Sequence, residues 1–130
     1  MRVIIAGSRS LSSDGKASMS FPRPGAPLIE RAVHESGFVI SHVLSGGADG
    51  IDTAAITWAI HHEIPYTICP ANWVRDGRRA GLYRNSAMVM QAEALISIWD
   101  GVSRGTAHCM AVAAAAGLKT HCIRVPADWV

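Results

Sequence analysis

Five short apolar runs alternate with segments of helical spacing along the chain, and this alternation narrows the fold more than any other feature. The runs are predicted strands at residues 3–6, 39–44, 66–69, 94–98 and 120–125. Most of them are continuously apolar, which is typical of strands that are covered on both faces of a parallel sheet. The sequence therefore predicts strands that lie between two layers of helices.

Four segments between the strands have helical periodicity, at residues 27–36, 48–63, 83–92 and 105–116. Gly37 and Gly117 follow the first and the last of them, in the position after a helix that favours glycine. Alternating strands and helices predict an α/β fold with a doubly wound, mainly parallel five-stranded Rossmann-like sheet and helices on both faces. We expect a single domain over residues 1–130, with loops at residues 8–24 and 70–81.

Composition excludes several classes of protein. Hydrophobic residues make up 49% and charged residues 17% of the chain, which favours a globular fold over a disordered one. A net charge of +2 argues against binding along an extended nucleic acid, and no apolar run is long enough for a membrane span. Three cysteines without a C-x-x-C pair predict reduced thiols and a cytoplasmic location. No spacing of residues predicts a metal site.

In an open α/β sheet, ligands bind beyond the carboxyl ends of the strands, so the residues that follow strands are the candidates for a site. Gly7, Ser8 and Arg9 follow the first predicted strand and offer a tight turn, a hydroxyl and a guanidinium that suits phosphate. Arg84 and Asn85 stand at the start of the third predicted helix, where an arginine opposes the helix dipole. An anionic ligand would explain that arginine, and a surface ion pair is the alternative.

A glycine-rich string follows the second predicted strand and leads into the second helix. It contains Ser45, Gly46, Gly47, Asp49 and Asp52. Uncovered amides at the paired glycines and at the helix start favour an anion, since the helix dipole is positive there. The two aspartates are predicted either to cap the helix or to accept hydrogen bonds from ribose hydroxyls.

A similar string follows the fourth predicted strand and opens the last helix. Its candidate ligand-binding residues are Asp100, Ser103, Arg104, Gly105 and Thr106. Glycine and hydroxyl side chains at a helix start suit phosphate oxygens, whereas Arg104 either supplies charge or is simply solvated. We predict that the two glycine-rich strings form one cradle for a phosphate-bearing ligand.

Four motifs in this order, at residues 2–9, 45–52, 84–85 and 99–108, resemble the SLOG superfamily, and most of all its small YspA/YpsA-like branch, found in bacterial and phage genomes. The resemblance implies a Rossmann-like sheet that binds or senses a nucleotide or an ADP-ribose-like ligand, with no required cofactor. It also implies a homodimer or higher homo-oligomer. The protein is then expected in the cytoplasm of a bacterium, or of the host cell if a phage encodes it.

Two alternative functions come from other branches that the same motifs resemble. LOG-type phosphoribohydrolases carry P-G-G-x-G-T-x-x-E, and aligning Gly105-Thr106 on that motif places Cys109 where the glutamate would stand. This departure favours a binding protein over a nucleotide N-glycosidase, because a thiol does not replace a carboxylate that stabilises an oxocarbenium-like state. Residues 45–52 also look like the segment of DprA that contacts single-stranded DNA, which leaves a DNA binder as the other alternative.

Overall fold

The computed structural model describes residues 1–8 and 26–125, so Arg9 and nearly all of the predicted loop at residues 8–24 lie outside the described residues. The strands are β1 (Arg2–Gly7), β2 (His42–Ser45), β3 (Tyr66–Ile68), β4 (Ala94–Trp99) and β5 (Lys119–Arg124). The helices are α1 (Ala26–Ser36), α2 (Ile51–His61), α3 (Trp73–Asp76), α4 (Ala80–Gln91) and α5 (Arg104–Ala115). All strand pairs are parallel, in the order β3-β2-β1-β4-β5. The predicted doubly wound α/β fold is confirmed.

Each face of the sheet has its own apolar core, which explains why the strands are continuously apolar. In β1, Val3 and Ile5 join the cluster formed with α1 and α2. Ile4 and Ala6 point the other way and join the cluster formed with α4 and α5. Side chains alternate across a strand, so a strand covered on both faces needs apolar residues at every position.

The strand order places the reversal of the sheet between β1 and β4, which are neighbours although they are far apart in sequence. Chain connections leave the carboxyl ends of these two strands in opposite directions across the sheet, and the gap between them is where α/β proteins of this kind bind ligands. Gly7 ends β1 and Trp99 ends β4. The residues that follow them are therefore well placed to form a site.

Three predicted elements begin three residues away from their start in the structure. The second helix begins at Ile51 rather than at residue 48, because Gly47 and Gly50 have φ angles of 73° and 94° that a helix does not accommodate. The third helix begins at Ala80 rather than at residue 83. It is preceded by α3 and a short 3₁₀ turn, so residues 70–81 are not a loop throughout. The second strand begins at His42 rather than at residue 39.

Two helix ends were predicted correctly, since Gly37 and Gly117 have φ angles of 70° and 80° after α1 and α5. Across residues 1–8 and 26–125, no helix combines the length and the apolar character needed to cross a bilayer.

Candidate functional site

A cleft of about 480 Å³ lies at the carboxyl ends of β1 and β4, where the strand order reverses. Helices α4 and α5 line one side of it, and the start of α2 lines another. Eight of the residues predicted from sequence border this cleft: Gly7, Asp52, Arg84, Asn85, Asp100, Ser103, Gly105 and Thr106. The structure therefore brings the two glycine-rich strings to the same cavity.

The other predicted residues that the structure describes do not line the cleft. Ser8 and Ser45 are buried behind it, and the Ser8 hydroxyl accepts a hydrogen bond of 3.0 Å from the amide of Asp100. Asp49 is exposed in the turn before α2, and Arg104 is exposed at the first position of α5. Gly46 and Gly47 belong to the turn before α2, of which Ala48 lines the cleft, and Asp52 lines it from the first turn of α2. Arg9 is not described.

Several polar groups of the turn between β2 and α2 form hydrogen bonds with one another. The Ser45 hydroxyl accepts a hydrogen bond from the amide of Gly47 at 3.2 Å and donates one to the carbonyl of Asp52 at 3.0 Å. Oδ2 of Asp52 accepts a hydrogen bond from the amide of Ala48 at 3.3 Å. Asp52 lies inside the first turn of α2, and Gly50 takes the capping position without a side-chain bond. The amides of Gly47 and Ala48 therefore already have hydrogen-bond partners within the turn.

Arg84 reaches across to this turn from α4. Its Nη1 donates to the carbonyl of Gly46 at 2.8 Å, and its Nε donates to Oδ1 of Asn85 at 3.0 Å. A Cβ atom on Gly46 would lie 2.8 Å from both Cζ of Arg84 and Oδ2 of Asp52, so an alanine there would displace the guanidinium or the carboxylate. Because α4 begins at Ala80, Arg84 is not at a helix start. The dipole argument for Arg84 was wrong, and its contact with Gly46 explains the side chain's placement.

The turn between β4 and α5 leaves its helix start open. Oδ1 of Asp100 accepts hydrogen bonds from the amides of Val102 at 2.9 Å and Ser103 at 2.7 Å, which fixes the turn. Ser103 is the residue before α5, and its side chain makes no capping hydrogen bond. A Cβ atom on Gly105 would meet nothing within 4 Å. The first amides of α5 and their positive dipole end thus border the cleft.

Asn85 holds this second turn from the same helix that carries Arg84. Its Nδ2 donates to the carbonyl of Gly105 at 3.1 Å and to Nδ1 of His108 at 3.2 Å. The second bond makes Nδ1 the acceptor, so a neutral His108 ring carries its proton on Nε2. Asn85 is buried, and it ties α4 to the start of α5.

Cys109 lines the cleft below Thr106 but is only 1% exposed. Burial, together with the negative charge of nearby Asp52, raises the pKa of the Cys109 thiol to about 11, although Arg84 opposes the rise. The thiol is therefore protonated at neutral pH. In that form it is a poor nucleophile, and it carries no charge to stabilise a cationic transition state.

The cleft also has a rim that the sequence analysis did not include among the site residues. Trp73 of α3, Arg78 of the 3₁₀ turn and Leu82 of α4 line it. The signal for α3 was present, because Asn72 is a typical residue before a helix and its Oδ1 accepts the amide of Arg75 at 3.0 Å. Because residues 70–81 were predicted to be a loop, this side of the cleft was not predicted.

No cluster of three or more histidine, cysteine or acidic residues that could hold a metal ion occurs among the residues that the structure describes. The imidazole of His62 instead binds Oε1 of Glu30 at 2.7 Å, which connects α2 with α1.

An open parallel sheet with a cleft at its point of reversal defines a Rossmann-like α/β fold of the doubly wound class. Among solved structures, the fold is similar to that of DNA processing protein A (DprA) from Streptococcus pneumoniae, with a TM-score of 0.68 and 17% sequence identity. The match covers 95% of this chain and 50% of that chain, so the chain spans about half the length of DprA. No protein-family model and no curated protein sequence matches the chain.

Proposed function

We propose that the cleft binds a nucleotide-derived, phosphate-bearing small molecule, such as a nucleotide or an ADP-ribose-like compound. One observation carries the proposal: the uncapped start of α5 and the guanidinium of Arg84 border the same cleft. An arginine has five N–H donors, and the bonds to Gly46 and Asn85 use two of them. The others are available to phosphate oxygens, next to the positive end of a helix dipole.

The remaining residues of the cleft suit the same ligand. The hydroxyls of Ser103 and Thr106 lie 3.4 Å apart at the start of α5, where they can donate to phosphate oxygens. The carboxylates of Asp52 and Asp100 border the cleft and accept hydrogen bonds, as ribose hydroxyls require. A volume of about 480 Å³ suits a small organic ligand rather than a single ion.

In this proposal the protein is a binder or sensor in the cytoplasm, and it belongs to the YspA-like branch of the SLOG superfamily that its motifs resemble. The DprA-like fold supports the wider resemblance. The protonated thiol of Cys109 supports binding without turnover. A homodimer or higher homo-oligomer is proposed on the same resemblance.

The proposal is tested by calorimetric titration with AMP, ADP, ADP-ribose and ribose 5-phosphate. We expect Arg84→Ala to weaken the tightest of these ligands at least tenfold, because charge-assisted hydrogen bonds to phosphate are lost. Arg79→Ala is the matched control, since Arg79 is exposed outside the cleft lining and its loss changes the net charge equally. Equal affinities of wild type and Arg84→Ala would remove Arg84 from the site, and no binding of any ligand would overturn the proposal.

A nucleotide N-glycosidase is a second candidate because two carboxylates, Asp52 and Asp100, line the cleft. Chromatography of the same nucleotide mixtures after incubation with the protein separates the two functions. Released free base would establish an enzyme, whereas intact nucleotide after prolonged incubation supports a binder.

Single-stranded DNA binding is a third candidate, supported by the DprA-like fold and by exposed Trp73 beside Arg78 at the rim. This function predicts that oligonucleotides bind more tightly than mononucleotides and that their affinity falls steeply with salt. A small-molecule site predicts the opposite order of affinities.

A further inference from the structure

The indole ring of Trp73 is exposed at the rim of the cleft and is not part of either apolar core. Trp73 is the first residue of α3 and is 55% exposed. It belongs to neither of the two core clusters that cover the sheet. Asn72 caps this short helix, so the backbone that carries the ring is held in place. Its exposed face therefore does not serve the packing of the sheet.

Gly81 keeps open the space between this ring and Arg84. A Cβ atom on Gly81 would lie 3.6 Å from Cη2 of Trp73 and 4.0 Å from Nη2 of Arg84. Any longer side chain would enter the cleft between the indole and the guanidinium. Leu82 and Arg78 also line the cleft, and among the described residues the Arg78 side chain makes no hydrogen bond or ion pair.

We propose that Trp73 stacks on the planar base of the ligand, with Leu82 and Arg78 beside the base and the phosphate at the start of α5. This inference rests on the proposed function and adds the chemical class of the ligand's second half. An indole face stacks on any heterocyclic base, and base–aromatic stacking contributes substantially to affinity. The cleft then selects nucleotides over sugar phosphates, because sugar phosphates leave the rim uncovered.

The test compares a ligand that has a base with one that lacks it. AMP, GMP, CMP and UMP are titrated against wild type, Trp73→Ala and Trp73→Phe, with ribose 5-phosphate as the reference without a base. We expect Trp73→Ala to weaken the tightest nucleotide about tenfold and to leave ribose 5-phosphate within twofold. Trp73→Phe restores part of the loss, because a phenyl ring still stacks.

Tyr83→Ala is the matched control, since Tyr83 is a neighbouring aromatic of 50% exposure that lies outside the cleft lining. Gly81→Val is a second variant that keeps both Trp73 and Arg84, and it also weakens the nucleotide more than the sugar phosphate. If Trp73→Ala weakens the nucleotide and ribose 5-phosphate equally, or weakens neither, the proposed stacking on Trp73 is overturned while phosphate binding remains intact. If wild type binds neither ribose 5-phosphate nor any of the four nucleotides, the proposed function fails, and the proposed stacking on Trp73 fails with it.

Discussion

The two glycine-rich turns beside the cleft contain similar kinds of residue, but they differ in how much of the space around their glycines is filled by side chains of the protein. In the turn between β2 and α2, the Ser45 hydroxyl, the Asp52 carboxylate and the Arg84 guanidinium already bind the backbone. In the turn between β4 and α5, Asp100 fixes the loop, and no side chain lies within 4 Å of the position that a Cβ atom on Gly105 would take. We call the first turn closed, because side chains of the protein fill the space beside its glycines, and we call the second turn open.

This difference changes how the sequence pattern is interpreted. Glycines, serines and aspartates at a helix start indicate an anion site only if no side chain of the protein occupies the space above them. At Gly46 the guanidinium of Arg84 and the carboxylate of Asp52 occupy it, whereas at Gly105 nothing does. The proposed phosphate position is therefore the start of α5, and the turn before α2 has a supporting role in that proposal.

The largest expected effect is at Gly46. Gly46→Ala places a methyl group against Arg84 and Asp52, and we expect the free energy of unfolding to fall by about 1–3 kcal/mol, as for overpacked sites. Urea denaturation followed by circular dichroism measures the loss. A variant as stable as wild type would show that the closed turn is more adaptable than its contacts indicate.

Matched serines give an intermediate effect. Ser45→Ala removes a fully buried hydroxyl with two hydrogen bonds, so we expect a loss of about 1–2 kcal/mol in unfolding free energy. Ser103→Ala removes a hydroxyl with only a 3.4 Å contact to Thr106, and we expect a change below about 0.5 kcal/mol. The comparison of the two turns breaks down if the two variants lose stability equally in urea.

At Gly105 the expected effect is small and has the opposite sign. Gly105→Ala adds a methyl group where nothing lies within 4 Å, and alanine favours a helix over glycine. We expect a gain in unfolding free energy of about 0.5 kcal/mol, together with weaker binding of ribose 5-phosphate because the methyl group stands over the proposed phosphate position. Thermal unfolding and calorimetry measure the two changes, and stabilisation with unaltered binding would place the phosphate elsewhere.

The sheet was predictable from sequence because its central strands contain continuous apolar runs, as at residues 3–6 of β1 and 94–96 of β4, and such runs require a helical layer on each face. The convergence of residues 45–52 and 99–108 followed from the general placement of sites in such sheets. The state of each turn was not predictable, since it depends on Arg84, which contacts Gly46 from 38 positions away in the chain. Trp73 was not assigned to the site, because a tryptophan in a loop more often packs the loop than stacks on a base. The four residues of α3 are also too few for helical periodicity to be detected.

Arg84 and Asn85 are consecutive on α4, and on a helix consecutive side chains diverge by about 100°. One therefore reaches the turn after β2, and the other reaches the start of α5. A single helix sets the distance between both sides of the cleft, so its width is preorganised before a ligand arrives. For the proposed ligand we therefore expect little rearrangement of the backbone on binding, and a rotation of α4 would alter both turns at once.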